Sequence, residues 1–110
     1  MLLTTIGAKS GRSRTHPLCY VVDDAGLTVV ASNFGSPKQP AWYHNLLANP
    51  NVGVLAGEHT GSYVASEITD PADRERTWAL ATEAARVYED YAQRAGDRAI
   101  PLIRLKRLGT

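Results

Sequence analysis

The chain is short of sulfur, of net charge and of long apolar runs, and each shortage excludes something. Its one cysteine, Cys19, rules out an internal disulfide and any metal site built from several cysteines. A formal charge of +1 leaves no whole-molecule electrostatic footprint for nucleic acid. No apolar run approaches the ~20 residues that cross a bilayer. The start, Met1-Leu-Leu-Thr-Thr, lacks a basic segment followed by a long apolar one, so it does not read as a secretory signal. A reducing cytoplasm is the expected compartment. His16, His44 and His59 sit in different stretches with no paired ligand spacing, so no metal site is expected. Ser10 and Ser32 lack a nucleophile elbow. If this chain is an enzyme, a cofactor carries the hard step.

What is present fits one domain, residues 1–110, with 44% apolar and 21% charged residues, values ordinary for a globular fold. The charge is unevenly placed. Met1 to Val22 holds Lys9, Arg12 and Arg14 and no acid. These cations lie in Gly7-Ala-Lys-Ser-Gly-Arg-Ser-Arg-Thr-His-Pro17. Gly7 and Gly11 allow sharp turns that aim backbone N–H groups inward, and Ser10, Ser13 and Thr15 add hydroxyl donors. Such a loop suits phosphate or carboxylate. A solvated basic loop is the plain alternative. The order of residues is neither that of a Walker A loop nor that of a dinucleotide fingerprint.

Around this loop the pattern reads mostly as strands. Leu2 to Ile6 is a short buried strand, and Pro17 to Val22 is a second, favoured by Tyr20, Val21 and Val22. Asp23-Asp-Ala-Gly26 is a hairpin turn into a third strand, Leu27 to Ser32. A turn-rich loop, residues 33 to 40, leads to a short helix from Pro40 to Ala48, stopped by Asn49-Pro50. Asn51 to Ala56 and Thr60 to Ile68 form another strand pair. Asp70 caps a long helix that starts at Pro71, runs to about Arg94 and is ended by Gly96. Trp78, Ala81, Ala85, Tyr88 and Ala92 give that helix one buried stripe. Ile100 to Leu108 closes the chain as a strand, with Ile103 and Leu105 on one face and Arg104 and Lys106 on the other. An antiparallel barrel of about six strands, with one short and one long helix outside, is the economical fold.

The segment Pro40-Ala-Trp-Tyr-His-Asn-Leu-Leu-Ala-Asn-Pro50 is the most unusual. Trp42 and Leu46 are four apart and can anchor the helix on the barrel. Trp42-Tyr-His-Asn45, however, follows a Gly/Pro loop, and a helix start there offers free N–H groups to a ligand. Tyr88 and Tyr91 read as packing residues whose hydroxyls can edge a pocket.

Four stretches in order resemble the deazaflavin-dependent nitroreductase family, the actinobacterial coenzyme F(420)H(2)-dependent quinone and nitro reductases. They are Leu3-Thr-Thr-Ile-Gly-Ala-Lys-Ser-Gly-Arg-Ser-Arg14, His16-Pro-Leu18, Val30-Ala-Ser32 and the Pro40–Pro50 segment. The resemblance covers nearly the whole chain. It implies a split β-barrel similar to the FMN-binding ones. It also implies hydride transfer from reduced deazaflavin to a quinone, nitroaromatic or activated alkene. The coenzyme tail, phospholactate with oligoglutamate, is strongly anionic, which gives the basic loop a partner. By the same resemblance Lys9, Ser10 and Arg14 hold phosphate and tail, with Arg12 extending the patch. Thr15, Pro17 and Leu18 lie along the cofactor; Ala31, Ser32 and Asn33 face the ring; Ala41, Trp42 and Tyr43 close over it. Tyr88 and Tyr91 border the acceptor pocket. No residue is assigned as a catalytic acid or base.

Three departures qualify the match. Relatives carry a segment ahead of the first strand, and this chain starts within that strand, which reads as a truncated or minimal member. Peripheral membrane association is then the lesser alternative to a cytoplasmic protein. Ala8 stands where some relatives have a basic residue, and Asn33-Phe34 where some have Lys-Gly. Ala85 stands where nitro-drug-activating relatives carry a further tyrosine, so quinone reduction is favoured over nitroreduction. A homodimer is expected from the resemblance. The competing readings are an FMN-dependent split-barrel reductase and a deazaflavin-binding protein without turnover. Tail charge discriminates against FMN, because one phosphate needs fewer cations than Lys9, Arg12 and Arg14 supply.

Overall fold

The computed structural model describes residues 1–96 and 99–108. Seven strands form one antiparallel sheet: β1 Leu2–Ile6, β2 Ser13–Pro17, β3 Val21–Asp23, β4 Gly26–Val30, β5 Asn51–Leu55, β6 Gly61–Glu67 and β7 Leu102–Arg107. Their order across the sheet is β2-β1-β5-β6-β7-β4-β3. The helices are α1 Ala41–Ala48, α2 Pro71–Ala84 and α3 Val87–Ala95.

Strand alternation explains the curvature. Leu3 of β1, Val52 and Val54 of β5, Tyr63 and Ala65 of β6, Ile103 and Leu105 of β7, and Leu27 and Val29 of β4 share one apolar cluster. Strands β1 and β4 are four places apart in the sheet order, so the sheet must curl to bring them together. Trp42 and Leu46 of α1 complete this cluster and plug the half-barrel. Burying a leucine as fully as Leu46, 2% exposed, contributes about 1.5–3 kcal/mol.

Strands β4 and β7 are buried on both faces. Their outward residues Val30 and Leu102 join Ile68, Ala81, Ala95 and Ile100 in a second cluster, against which Trp78, Tyr88, Tyr91 and Ala92 pack. Arg104 also faces outward, under α2. It grips Asp73 at 2.6 and 3.0 Å, and Arg76 ties Asp73 to Asp23 at 2.7 and 3.4 Å. Asp70 accepts from the Asp73 amide at 2.9 Å, with Pro71 next to it, so α2 starts where the sequence places its cap.

Two expectations are corrected. The sheet has seven strands rather than about six, because the distal half of the basic segment is itself strand β2. Ser13-Arg-Thr-His-Pro17 has no apolar alternation, so it is silent to a hydrophobic pattern. It is an edge strand, held by its backbone register to β1 from Leu2↔Pro17 to Ile6↔Ser13. The strand expected from Pro17 to Val22 shrinks accordingly to Val21–Asp23.

The single long helix is two. Ala85 is extended at φ −150°, ψ 99°, between α2 and α3. The stripe hides the break, since Ala81, Ala85, Tyr88 and Ala92 keep helical spacing across it. Hydrogen bonding survives, with the Ala85 amide on Ala81 and the Tyr88 amide on Ala85. Turning the chain here lets α3 bring Tyr88 and Tyr91 over the second cluster.

Candidate functional site

Two cavities meet between β2, α1 and α3. The larger, about 650 Å³, is walled by Pro17 at the end of β2 and Leu18 and Cys19 after it, by Ser32 to Phe34 after β4, by the start of α1, and by Ala85, Val87, Tyr88 and Tyr91. The smaller, about 510 Å³, is walled by Gly7 to Ser10, Arg14, His44 and Asn45. His16 and Ala41 line both, so the two cavities adjoin there and together make up the candidate cleft.

The basic end is a hairpin pinned to α1. Asn45 is buried; it donates to the Thr5 hydroxyl at 3.3 Å and accepts from the Ala8 amide at 3.0 Å. The Gly7 amide bonds to Arg12 at 2.8 Å, the Gly11 amide to Gly7 at 2.9 Å, and the Arg12 amide to the Ser10 hydroxyl at 3.2 Å. Gly11 sits at φ +70°, where a side chain is strained. The amides of residues 7, 8, 11 and 12 are thus used inside the protein, which corrects the expectation of a loop aiming its amides at a ligand. The charged and hydroxyl side chains that line this end are Lys9, Ser10 and Arg14.

The other end is apolar and held by an unusual turn. Asn33, Phe34 and Gly35 have φ of 46°, 57° and 77°, three left-handed residues in a row. For phenylalanine that costs roughly 1–2 kcal/mol. The turn persists because it is docked. Gly35 lies so close to α3 that an added Cβ would be 2.6 Å from Arg94 Cβ and 2.7 Å from the Tyr91 carbonyl. Phe34 meets the Tyr91 ring edge-on at 5.9 Å, and the Asn33 amide group donates to the Lys38 carbonyl at 2.9 Å. Strain of this kind is kept where it shapes a binding surface. Tyr88 and Tyr91 stand edge-on to each other at 6.3 Å. Burial, with Cys19 and Tyr91 adding, pushes the Tyr88 phenol up, so at neutral pH it is a proton-bearing donor.

The cleft is electrostatically one-sided. Lys9, Arg14 and Lys38 line it, and among the described residues no aspartate or glutamate does. Among the described residues no group of three or more His, Cys, Asp or Glu could hold a metal ion.

The sequence-predicted residues separate into two sets. Lys9, Ser10 and Arg14 line the basic end; Pro17, Leu18, Ser32, Asn33, Trp42, Tyr88 and Tyr91 line the apolar end; Ala41 lines both. Arg12, Thr15, Ala31 and Tyr43 line neither. Thr15 points to the opposite face of the sheet, hydroxyl to hydroxyl with Thr4 at 2.9 Å. Ala31 is fully enclosed in the barrel core. Tyr43 donates to Glu67 at 2.5 Å; burial and that carboxylate raise its phenol to about 12. Sequence reasoning missed His16, Cys19, Phe34, Lys38 and Val87 as wall residues. The signal for His16 was its place two residues from both Arg14 and Leu18, legible once β2 is read as a strand.

The protein-family model described as F(420)H(2)-dependent quinone reductase matches residues 1–106. An F(420)H(2)-dependent quinone reductase of Mycobacterium tuberculosis is 39% identical over 110 residues, covering 97% of this chain and 72% of the relative. A solved F(420)-H(2) dependent reductase superposes with a TM-score of 0.82 at 40% identity, covering 96% of this chain and 91% of that one. A solved structure described as a domain-swapped dimer superposes at 0.85, also at 40% identity, covering 96% and 78%.

Proposed function

This chain belongs to the F(420)H(2)-dependent quinone reductase family, and from that premise we propose that its cleft binds reduced coenzyme F(420) and delivers hydride to a quinone. The observation that carries the reading is the shape and charge of the cleft. One end presents cations to an anionic tail, the other is walled by aromatic and aliphatic side chains, and among the described residues no carboxylate lines either. That donor set fits a ligand that is anionic at one end and flat at the other. When bound, the reduced deazaflavin supplies the hydride.

The protein's own contribution is holding and orienting. Lys9, Ser10 and Arg14 hold the tail by charge-assisted contacts. Leu18, Ala41 and Trp42 flank the ring. Trp42 is also a core residue, 6% exposed, so the wall it offers is rigid. Burial pushes the Tyr88 phenol up, so it can donate to an acceptor oxygen as negative charge develops there, with the Tyr91 hydroxyl beside it. Tyr88, Val87 and Phe34 on that wall keep water from the acceptor, and proximity does most of the work. FMN is disfavoured, because its single phosphate leaves a cation of the basic end unmatched.

The finer assignments rest on the same reading. The acceptor is a quinone first, with nitroaromatics and activated alkenes secondary, since Ala85 leaves that wall without a further hydroxyl. The protein acts in the cytoplasm. No helix among the described residues is long and apolar enough to cross a membrane. A homodimer is supported by the relative described as a domain-swapped dimer.

The test is a titration of tryptophan fluorescence with oxidised coenzyme F(420) and, in parallel, FMN. Trp42 should be quenched by the deazaflavin at concentrations where FMN does nothing. A Trp42→Phe variant, with Trp78 left as the remaining tryptophan, should lose the signal. Equal or tighter FMN binding would move the protein to the flavin branch. Binding without quinone turnover would make it a carrier.

A further inference from the structure

The helices cover only part of the sheet. α2 and α3 pack over the outer side of β4 and β7, and α1 plugs the inside. Among the described residues, the outer face of β2, β1, β5 and β6 carries no helix. Leu3, Val52, Val54 and Tyr63 are buried in the inner cluster, so their neighbours along each strand point outward.

The register gives this outer face its pattern. Thr15, Thr4, Gly53 and Ser62 form one row across all four strands. On one side of it Leu2 lies between Pro17 and Leu55; on the other, Ile6 pairs with Ser13 and Asn51 with Val64. None of these side chains is charged, in a chain with 21% charged residues. Helix α2, by contrast, shows Glu75, Arg76 and Glu83 to solvent. Leu2 and Leu55, directly paired, are 39% and 57% exposed. The Thr4 and Thr15 hydroxyls bond each other at 2.9 Å, so covering the central row strands neither of them. That row is also small, which lets a second sheet approach to the ~10 Å of stacked sheets.

We propose that two copies of this chain pair by packing these faces together about a two-fold axis. A two-fold sets each side chain against itself or its neighbours in the other copy, so a charge here would meet its like. A charged partner would find no counter-charge on the face. Four strands at about 4.8 Å and five residues at about 3.4 Å give a platform of about 19 by 17 Å. That size is at the low end of specific interfaces, so the dimer dissociates in the micromolar range. The pairing does not depend on what the cleft binds. A dimer made by exchanging elements would leave this face open, and that difference is measurable.

The experiment is sedimentation of the full chain from low micromolar to submillimolar concentration. Wild type should pass from monomer to dimer across that range. A Cβ added at Gly53 would meet only Thr4 Cβ at 3.6 Å, an ordinary contact, so Gly53→Arg leaves the fold room. It should weaken pairing about a hundredfold, the cost of like charges set face to face, and added salt should restore part of the loss. Leu55→Lys should weaken pairing about tenfold by the same repulsion nearer the rim. Leu47→Lys, an equally exposed leucine on α1, should change nothing. A wild type that stays monomeric throughout overturns the proposal. So does a dimer that Gly53→Arg leaves intact, which would point to exchanged elements, or one that Leu47→Lys weakens as much. Should Gly53→Arg fail to fold, the contrast between Leu55→Lys and Leu47→Lys decides.

Discussion

The two ends of the cleft are built by opposite means. At the basic end, exposed side chains of the β1–β2 hairpin supply the chemistry while the backbone amides bond among themselves. At the apolar end, the backbone is held in a strained left-handed turn against α3, and the walls include the buried ring of Trp42 and the half-buried rings of Tyr88 and Tyr91. Long cations reach a mobile, charged tail at little cost in precision. A flat ring and its acceptor need walls that do not move. Affinity and turnover should therefore respond to different residues.

The sharpest way to break that separation is at Gly35. A Gly35→Val side chain would meet Arg94 Cβ and the Tyr91 carbonyl at under 3 Å, at a φ of 77°. We expect a stability loss of about 2–4 kcal/mol from overpacking and strain, read by denaturant melts. Quinone turnover should fall about tenfold or more, while the dependence of affinity on tail length stays intact. A variant with wild-type turnover would show that the turn does not shape the reactive end.

At the other end, Arg14→Ala or Lys9→Ala should weaken long-tailed coenzyme about tenfold, the scale of one charge-assisted contact at an exposed site. Short-tailed coenzyme should lose less, added salt should shrink the difference, and kcat at saturation should hold. Equal losses for both tail lengths would place the tail elsewhere.

The smallest effect on the cleft is expected from outside it. Arg104 and Arg76 hold the Asp73 carboxyl well below the usual carboxylate range. A group depressed in this way stabilises the fold fully above its unfolded value, about 4 for aspartate. That contribution fades as pH falls further. Asp73→Asn should therefore lower the melting temperature at pH 7 without changing coenzyme affinity. The gap to wild type should narrow below about pH 4. A gap that widens in acid would contradict the ion-pair account.

Much of this architecture was legible in the residues. Asp70 with Pro71 marks the start of α2, Asp23 to Gly26 makes the β3–β4 turn, and Asn49-Pro50 ends α1. The alternation of Ile103 and Leu105 against Arg104 gives the two faces of β7. What escaped did so for physical reasons. Strand β2 is polar on both faces, and its pairing is carried by backbone groups common to every residue. Tyr43 sits beside Trp42 in sequence but turns to Glu67, a partner 24 residues away that no local pattern announces. The break at Ala85 is invisible because the apolar stripe runs through it, and only the docking of α3 on the turn at residues 33 to 35 explains why the chain bends.

One feature of the cleft reaches beyond catalysis. Trp42 belongs to the inner cluster, while Tyr88 and Tyr91 pack on the outer one, and all three face the same cavity. A bound coenzyme would sit as a keystone between the two hydrophobic cores. By mass action, ligand at a hundred times its Kd adds about 2.7 kcal/mol to the folded state. The lifetime of this protein in the cell would then follow the supply of its coenzyme, with the unliganded fraction the first to be taken by proteases.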